Sequence, residues 1–226
     1  MNLKEVFPFL IALNENNNRE WFAEHKAEYD RTKKIFENYV EKLIVEIALF
    51  DEEVKGVQAK DCIFRIYRDT RFSNDKTPYK PYYSAYICSG GGRKSPRGGY
   101  YIHVQPGEAV VAGGVWCPDP NVLKALRKSV YENVDEFAEI MQNPEFAAHY
   151  KELLGEKLKN MPAGFPKDFE YAEWLKPKNY CVEADVTDDI FLRDDSLTEL
   201  ARLIKLMLPF NRFLNYTVDE VVFGAK

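Results

Sequence analysis

A chain of 226 residues, 46% hydrophobic and 30% charged, has enough apolar side chains to fill one substantial core. Its formal net charge of −5 speaks against a domain built for nucleic acid, which is usually basic overall. No run approaches eighteen apolar residues, which excludes a helical membrane span, and the N-terminus lacks the basic start, apolar stretch and cleavage site of a signal peptide. Cys62, Cys88, Cys117 and Cys181 sit singly, three of them in apolar or strand-like runs, so they are expected to be reduced and the protein cytoplasmic. His25, His103 and His149 are too scattered to suggest a metal-ligand cluster, and no motif names a cofactor.

In chain order, residues 2–14 predict a short apolar helix, interrupted by the Asn-rich run at 14–18. Asn17 with Glu20 has the spacing of a capping box. Phe22, His25, Tyr29, Phe36, Val40, Leu43 and Ile47 then mark one buried stripe, predicting a long helix to about Phe50. From 61 to 116 the texture is β. Segments 62–67, 82–88, 99–104 and 109–115 are rich in aromatic and β-branched residues, with turn chemistry at 74–78, 89–99 and 106–107. Short connections predict an antiparallel meander. Asp119-Pro120 starts a helix whose stripe runs through Leu123, Leu126, Val130, Val134, Phe137 and Met141, and Asn143-Pro144 starts a shorter one. Residues 160–178 predict an ordered connection around a short helix, and 180–186 a further strand. A last helix begins near Ser196 and is kinked or ended by Pro209. No repeat or flexible linker breaks the series. The expectation is a single α+β domain over 1–226, with the meander packed against N- and C-terminal helices.

The most informative stretch is basic. Between Lys60 and Val104 stand nine Lys/Arg against three Asp/Glu, a net of +6, so the remainder of the chain sums to −11. Arg65, Arg68, Arg71, Lys76 and Lys80 fall within sixteen residues with only Asp69 and Asp75 beside them. Cations in such excess need carboxylates from elsewhere or an anionic ligand. Arginine forks match carboxylate and phosphate, lysine adds a point charge, and Tyr79 a neutral donor. On a strand over 62–67, Arg65 would sit between apolar neighbours and require a partner.

Two readings of this island stand side by side. In one, Arg65, Arg68, Arg71, Lys76, Tyr79 and Lys80 hold a phosphate- or carboxylate-bearing small molecule. His103, on the face of Tyr101, then serves as acid or base, and Asp69 or Asp75 orients the arginines or accepts a proton. In the other, Asp69 and Asp75 pair with Arg71 and Arg68 and merely stiffen a long loop. A nucleic-acid module using the same cations with Arg93, Lys94 and Arg97 is disfavoured by the net charge. The glycine-rich run 90–99 lacks phosphate-loop spacing and a following helix, and reads as a basic hairpin tip.

Several of these segments resemble one family. They are Asn17-Asn-Arg-Glu-Trp-Phe22, Phe64-Arg-Ile-Tyr-Arg-Asp-Thr-Arg-Phe-Ser-Asn-Asp-Lys-Thr-Pro-Tyr-Lys80, Gly99-Tyr-Tyr-Ile-His-Val104, Gly113-Gly-Val-Trp-Cys-Pro118 and Met161-Pro-Ala-Gly-Phe165. Together they resemble domain-of-unknown-function family 2461, from about Leu3 to Tyr216. The resemblance implies a single-domain protein of bacteria and fungi with no established activity, and carries over no catalytic residue.

Overall fold

The computed structural model describes residues 1–184 and 186–224. The first helix, α1 (Val6–Glu15), is followed by α2 (Arg19–Glu24) and α3 (Lys26–Ile47). Asn18 caps α2 by accepting from the Trp21 amide, one residue on from the expected Asn17. The expected single helix is broken at His25. Its non-helical backbone ends α2, its ring Nδ1 lies 2.9 Å from the Trp21 carbonyl oxygen, and its imidazole stacks on Trp21 at 4.0 Å. The apolar stripe continues across the break, which is why periodicity did not register it.

After the single turn α4 (Ala59–Cys62), the strand expected over 62–67 is replaced by an extended segment. It touches its neighbour only at the bridges Ile63–Ala85 and Tyr67–Tyr79. Its backbone bonds run from Phe64 N–H to Ser84, from Lys80 N–H to Ile66 and from Arg68 N–H to Pro78. Pro78 and Pro81, which have no N–H, deny the facing chain the donors of a continuous ladder. Arg65 is consequently exposed rather than enclosed on a sheet face, and makes no ion pair among the described residues.

Strands β1 (Tyr83–Ile87), β2 (Gly99–Val104), β3 (Val110–Val115) and β4 (Tyr180–Ala184) form an antiparallel sheet in the order β1-β2-β3-β4. Asp185, part of the expected strand 180–186, lies outside the described residues. Between β3 and β4 come α5 (Pro120–Glu132), α6 (Val134–Met141), α7 (Pro144–His149) and α8 (Ala172–Leu175). Asp119 and Asn143 cap α5 and α7 as their Asp-Pro and Asn-Pro pairs predict. The helix expected through Met141 breaks at Asn133. The chain ends in α9 (Asp189–Leu192), α10 (Ser196–Leu206) and α11 (Leu208–Phe223), with Pro209 in the first turn of α11. No helix among the described residues is long and apolar enough to cross a membrane.

Strand alternation gives the sheet two unlike faces. Tyr83, Ala85, Ile87, Tyr100, Ile102, Val104, Val111, Tyr180 and Val182 are buried on the face covered by helices, with α3 against β1 and α10 and α11 against β3. Its tyrosine hydroxyls find partners: Tyr83 with Thr32 at 3.0 Å, Tyr100 donating to Asp51 at 2.8 Å, and Tyr180 donating to the Trp174 carbonyl at 2.8 Å. Leaving any of them unpaired would cost about 1–3 kcal/mol. The opposite face carries Ser84, Tyr86, Tyr101, His103, Val110, Ala112, Cys181 and Glu183.

A candidate ligand cleft on the open face of the sheet

The basic loop largely neutralises itself. Asp69 accepts two bonds from the Arg71 guanidinium, at 3.0 and 2.7 Å, and both groups are exposed. Arg68 donates to Asp75 and Thr77. That bond, with the Thr77 amide and hydroxyl, pulls the Asp75 carboxyl down to about 2. Lys76 donates to the Thr70 carbonyl at 2.9 Å. Tyr79 is an anchor: its ring stacks on Phe22 at 3.9 Å, and its backbone N–H and C=O are both held by the Asn17 side chain. None of these groups lines the cleft over the open sheet face.

Lys80, the last of the five cations, is different. The Asn17 clamp on Tyr79 turns it toward the open sheet face, where it borders a cleft of about 770 Å³. That volume suits a small molecule. Tyr86, Tyr101 and Ala112 form the floor; Phe64 and Tyr82 stand on one side, and Trp116, Cys117 and Asp119 on the other. The Lys80 ammonium lies 5.6 Å from the Phe64 ring centre and 5.7 Å from that of Tyr82, with no carboxylate partner among the described residues. Burial, then the charges of Arg65 and Arg68, push its pKa below the ordinary lysine value. Arg93 also lines the cleft and donates to the Lys60 carbonyl at 2.9 Å. Arg97 is engaged by Glu53 and Asp219, tying the hairpin tip to the C-terminal helix.

His103 stands behind this lining. Its ring is 4.1 Å from that of Tyr82, its Nδ1 is 2.9 Å from the Tyr101 hydroxyl, and its Nε2 is 3.1 Å from Gln105 Oε1. The Gln105 amide nitrogen donates to Glu108 at 2.8 Å, so Oε1 must face the imidazole. Nε2 therefore carries the proton, and Nδ1 accepts from Tyr101. Burial lowers the His103 pKa and keeps the ring neutral. The Tyr101 hydroxyl is bonded by Ser84 as well, while burial raises its own pKa. His103 thus reaches the cleft through the Tyr101 hydroxyl and the Tyr82 ring rather than directly.

On the far side of the floor, register places Glu183 opposite Ala112, which in turn lies opposite Tyr101. Glu183 opens into the cleft, where its side chain remains exposed, makes no hydrogen bond or ion pair among the described residues, and has its carboxyl pKa raised by partial desolvation. Of the residues read in the sequence as the small-molecule site, Lys80 lines the cleft, joined by Arg93 and Arg97 from the basic hairpin tip. Tyr79 and His103 support it from behind, and Asp69, Asp75, Arg71 and Lys76 lie elsewhere. Sequence reasoning missed Tyr101, Tyr82, Ser84 and Glu183 as site residues. A lone acid between apolar neighbours in a strand was the available clue to Glu183.

The chain belongs to the family described as conserved hypothetical protein (DUF2461), whose family model matches residues 5–213. No curated protein and no solved structure matches the chain.

Proposed function

We propose that the protein binds a small molecule carrying a carboxylate or phosphate on an apolar or aromatic body, in the cleft over the open sheet face. The observation that carries this reading is the state of Lys80. A half-buried ammonium with no carboxylate partner among the described residues stands at one end of a largely apolar cavity, flanked by the charges of Arg65 and Arg68. An anion there would replace missing solvation and favour the charged form, while Phe64, Tyr82 and Tyr101 offer ring faces to the ligand's body. The four cysteines are free thiols, one of them exposed, which suits the reducing cytoplasm. The loop from Arg68 to Lys76 has its own partners and acts as a stiffened border to the site.

Benzoate and phenyl phosphate, compared with neutral benzamide, test the reading by calorimetry and thermal unfolding. Both anions are expected to bind more tightly than benzamide. Lys80→Met should remove the difference, a loss of about tenfold or more for a charge-assisted bond. Arg71→Ala should leave it intact. Equal binding of benzoate and benzamide, or an unchanged preference in Lys80→Met, overturns the proposal.

A further inference from the structure

The cleft has two unlike ends. At one, Lys80 is joined by Arg93 in the lining and by Arg65 and Arg68 nearby; at the other stand Glu183 and Asp119. Two strand spacings, about 10 Å, separate the strand positions of Tyr101 and Glu183. The Lys80 ammonium lies beyond Tyr101, against Phe64, whose ring is 6.4 Å from that of Tyr101. Opposite charges therefore face the same cavity from well-separated positions, too far apart to pair with each other.

We infer that the occupant of this cleft is amphoteric: an elongated molecule with its anionic group at Lys80 and a cationic amine at Glu183. This rests on the reading of the cleft as the site of an anionic small molecule, and adds the second charge and the length. Glu183, exposed to the cleft, has no cation of its own among the described residues, and partial desolvation raises its carboxyl pKa. A bound ammonium would supply the missing charge where a second anion would be repelled. Asp119 contributes a second carboxylate, one oxygen of which accepts from the Asn121 amide at 2.9 Å. Trp116 lines the same end; its side chain is 62% exposed and its ring pairs with no other among the described residues. A free indole face beside two carboxylates favours an organic cation. Cys117 and Cys181 complete that end, and Arg97, which also lines the cleft, has its charge taken up by Glu53 and Asp219.

The test uses a series of unbranched ω-amino acids of increasing length, with alkanoates and alkylamines of the same lengths, titrated calorimetrically at neutral pH. At one intermediate length the ω-amino acid should bind about tenfold tighter than the matching alkanoate. Glu183→Gln should abolish that gain while leaving alkanoate affinity in place, and Lys80→Met should weaken both. Unfolding curves of each variant verify that it is folded. If alkanoates bind through Lys80 but the amino group adds nothing at any length, or its gain survives in Glu183→Gln, the amphoteric inference is overturned while the anion site stands. If neither series binds, or Lys80→Met binds both like the parent, the reading of the cleft falls with it.

Discussion

Arg68 and Lys80 carry the same formal charge and differ in what surrounds them. Arg68 is matched by Asp75, whose depressed pKa keeps that pair intact above the ordinary carboxylate range and lets it fail as pH falls toward about 2. Lys80 has no such partner, and Glu183 across the cleft is its mirror image. Partial burial disfavours the ionised form of each, less so for exposed Glu183 because solvent screens it, so removing either charge should stabilise the unliganded protein slightly. Thermal unfolding at neutral pH without ligand should give a higher Tm for Lys80→Met and for Glu183→Gln than for the parent. Because the Glu183 pKa is raised, its protonated form favours folding below the ordinary carboxylate value, and that contribution is lost as pH rises through the raised one. The Gln advantage should accordingly shrink on acidification. An advantage independent of pH would assign it to packing. The pairing of Asp69 and Asp75 with nearby arginines was legible, because two-residue and seven-residue spacings close within one loop. Which cation would remain free was not, since Lys80 is aimed by Asn17, sixty-two residues upstream of Tyr79.

At the scale of elements, local chemistry carried most of the reading. Asp119 and Asn143 marked helix starts, Asn17 marked a third one residue before the cap that forms at Asn18, and aromatic and β-branched runs between turns marked four strands. The misreadings share one cause: periodicity follows burial and is blind to a break in the backbone. His25 and Asn133 interrupt helices without interrupting an apolar stripe, and two prolines interrupt pairing beside 62–67 without changing its composition. The floor of the cleft depends on a tight approach of β3 to β4. Gly114 has φ +113°, and a Cβ there would fall 2.1 Å from the Tyr180 carbonyl oxygen. Gly107, with φ +81°, has open space around it. Chemical denaturation should find Gly114→Ala destabilising by at least about 3 kcal/mol, since a clash with backbone adds to conformational strain, and Gly107→Ala by only about 1 kcal/mol. Similar values for both would show that β3 can move away from β4 at little cost.

Across the described residues, α3, α10 and α11 pack against one face of the sheet and the other forms the floor of a cleft, whose lining comes from segments near residues 64–86, 93–101, 110–122, 154, 181–183 and 222. Long-range ties hold these segments in place. Arg97 joins Glu53 and Asp219, while Asn215 accepts from the Gly98 amide at 2.6 Å and donates to its carbonyl at 3.0 Å. The α+β class was legible because it follows from the order of local patterns. The site was legible only where the basic run reaches it, because register between distant strands decides that Glu183, Ala112 and Tyr101 share a row. The central claim is that the sheet cleft, and not the charged loop beside it, receives the anion. A crystal structure of the protein grown with phenyl phosphate tests it most directly. The account predicts phosphoryl oxygens within hydrogen-bond distance of Lys80 Nζ and the phenyl ring over Phe64 or Tyr101. Phenyl phosphate bound at Arg71 and Lys76 with nothing in the cleft would contradict it.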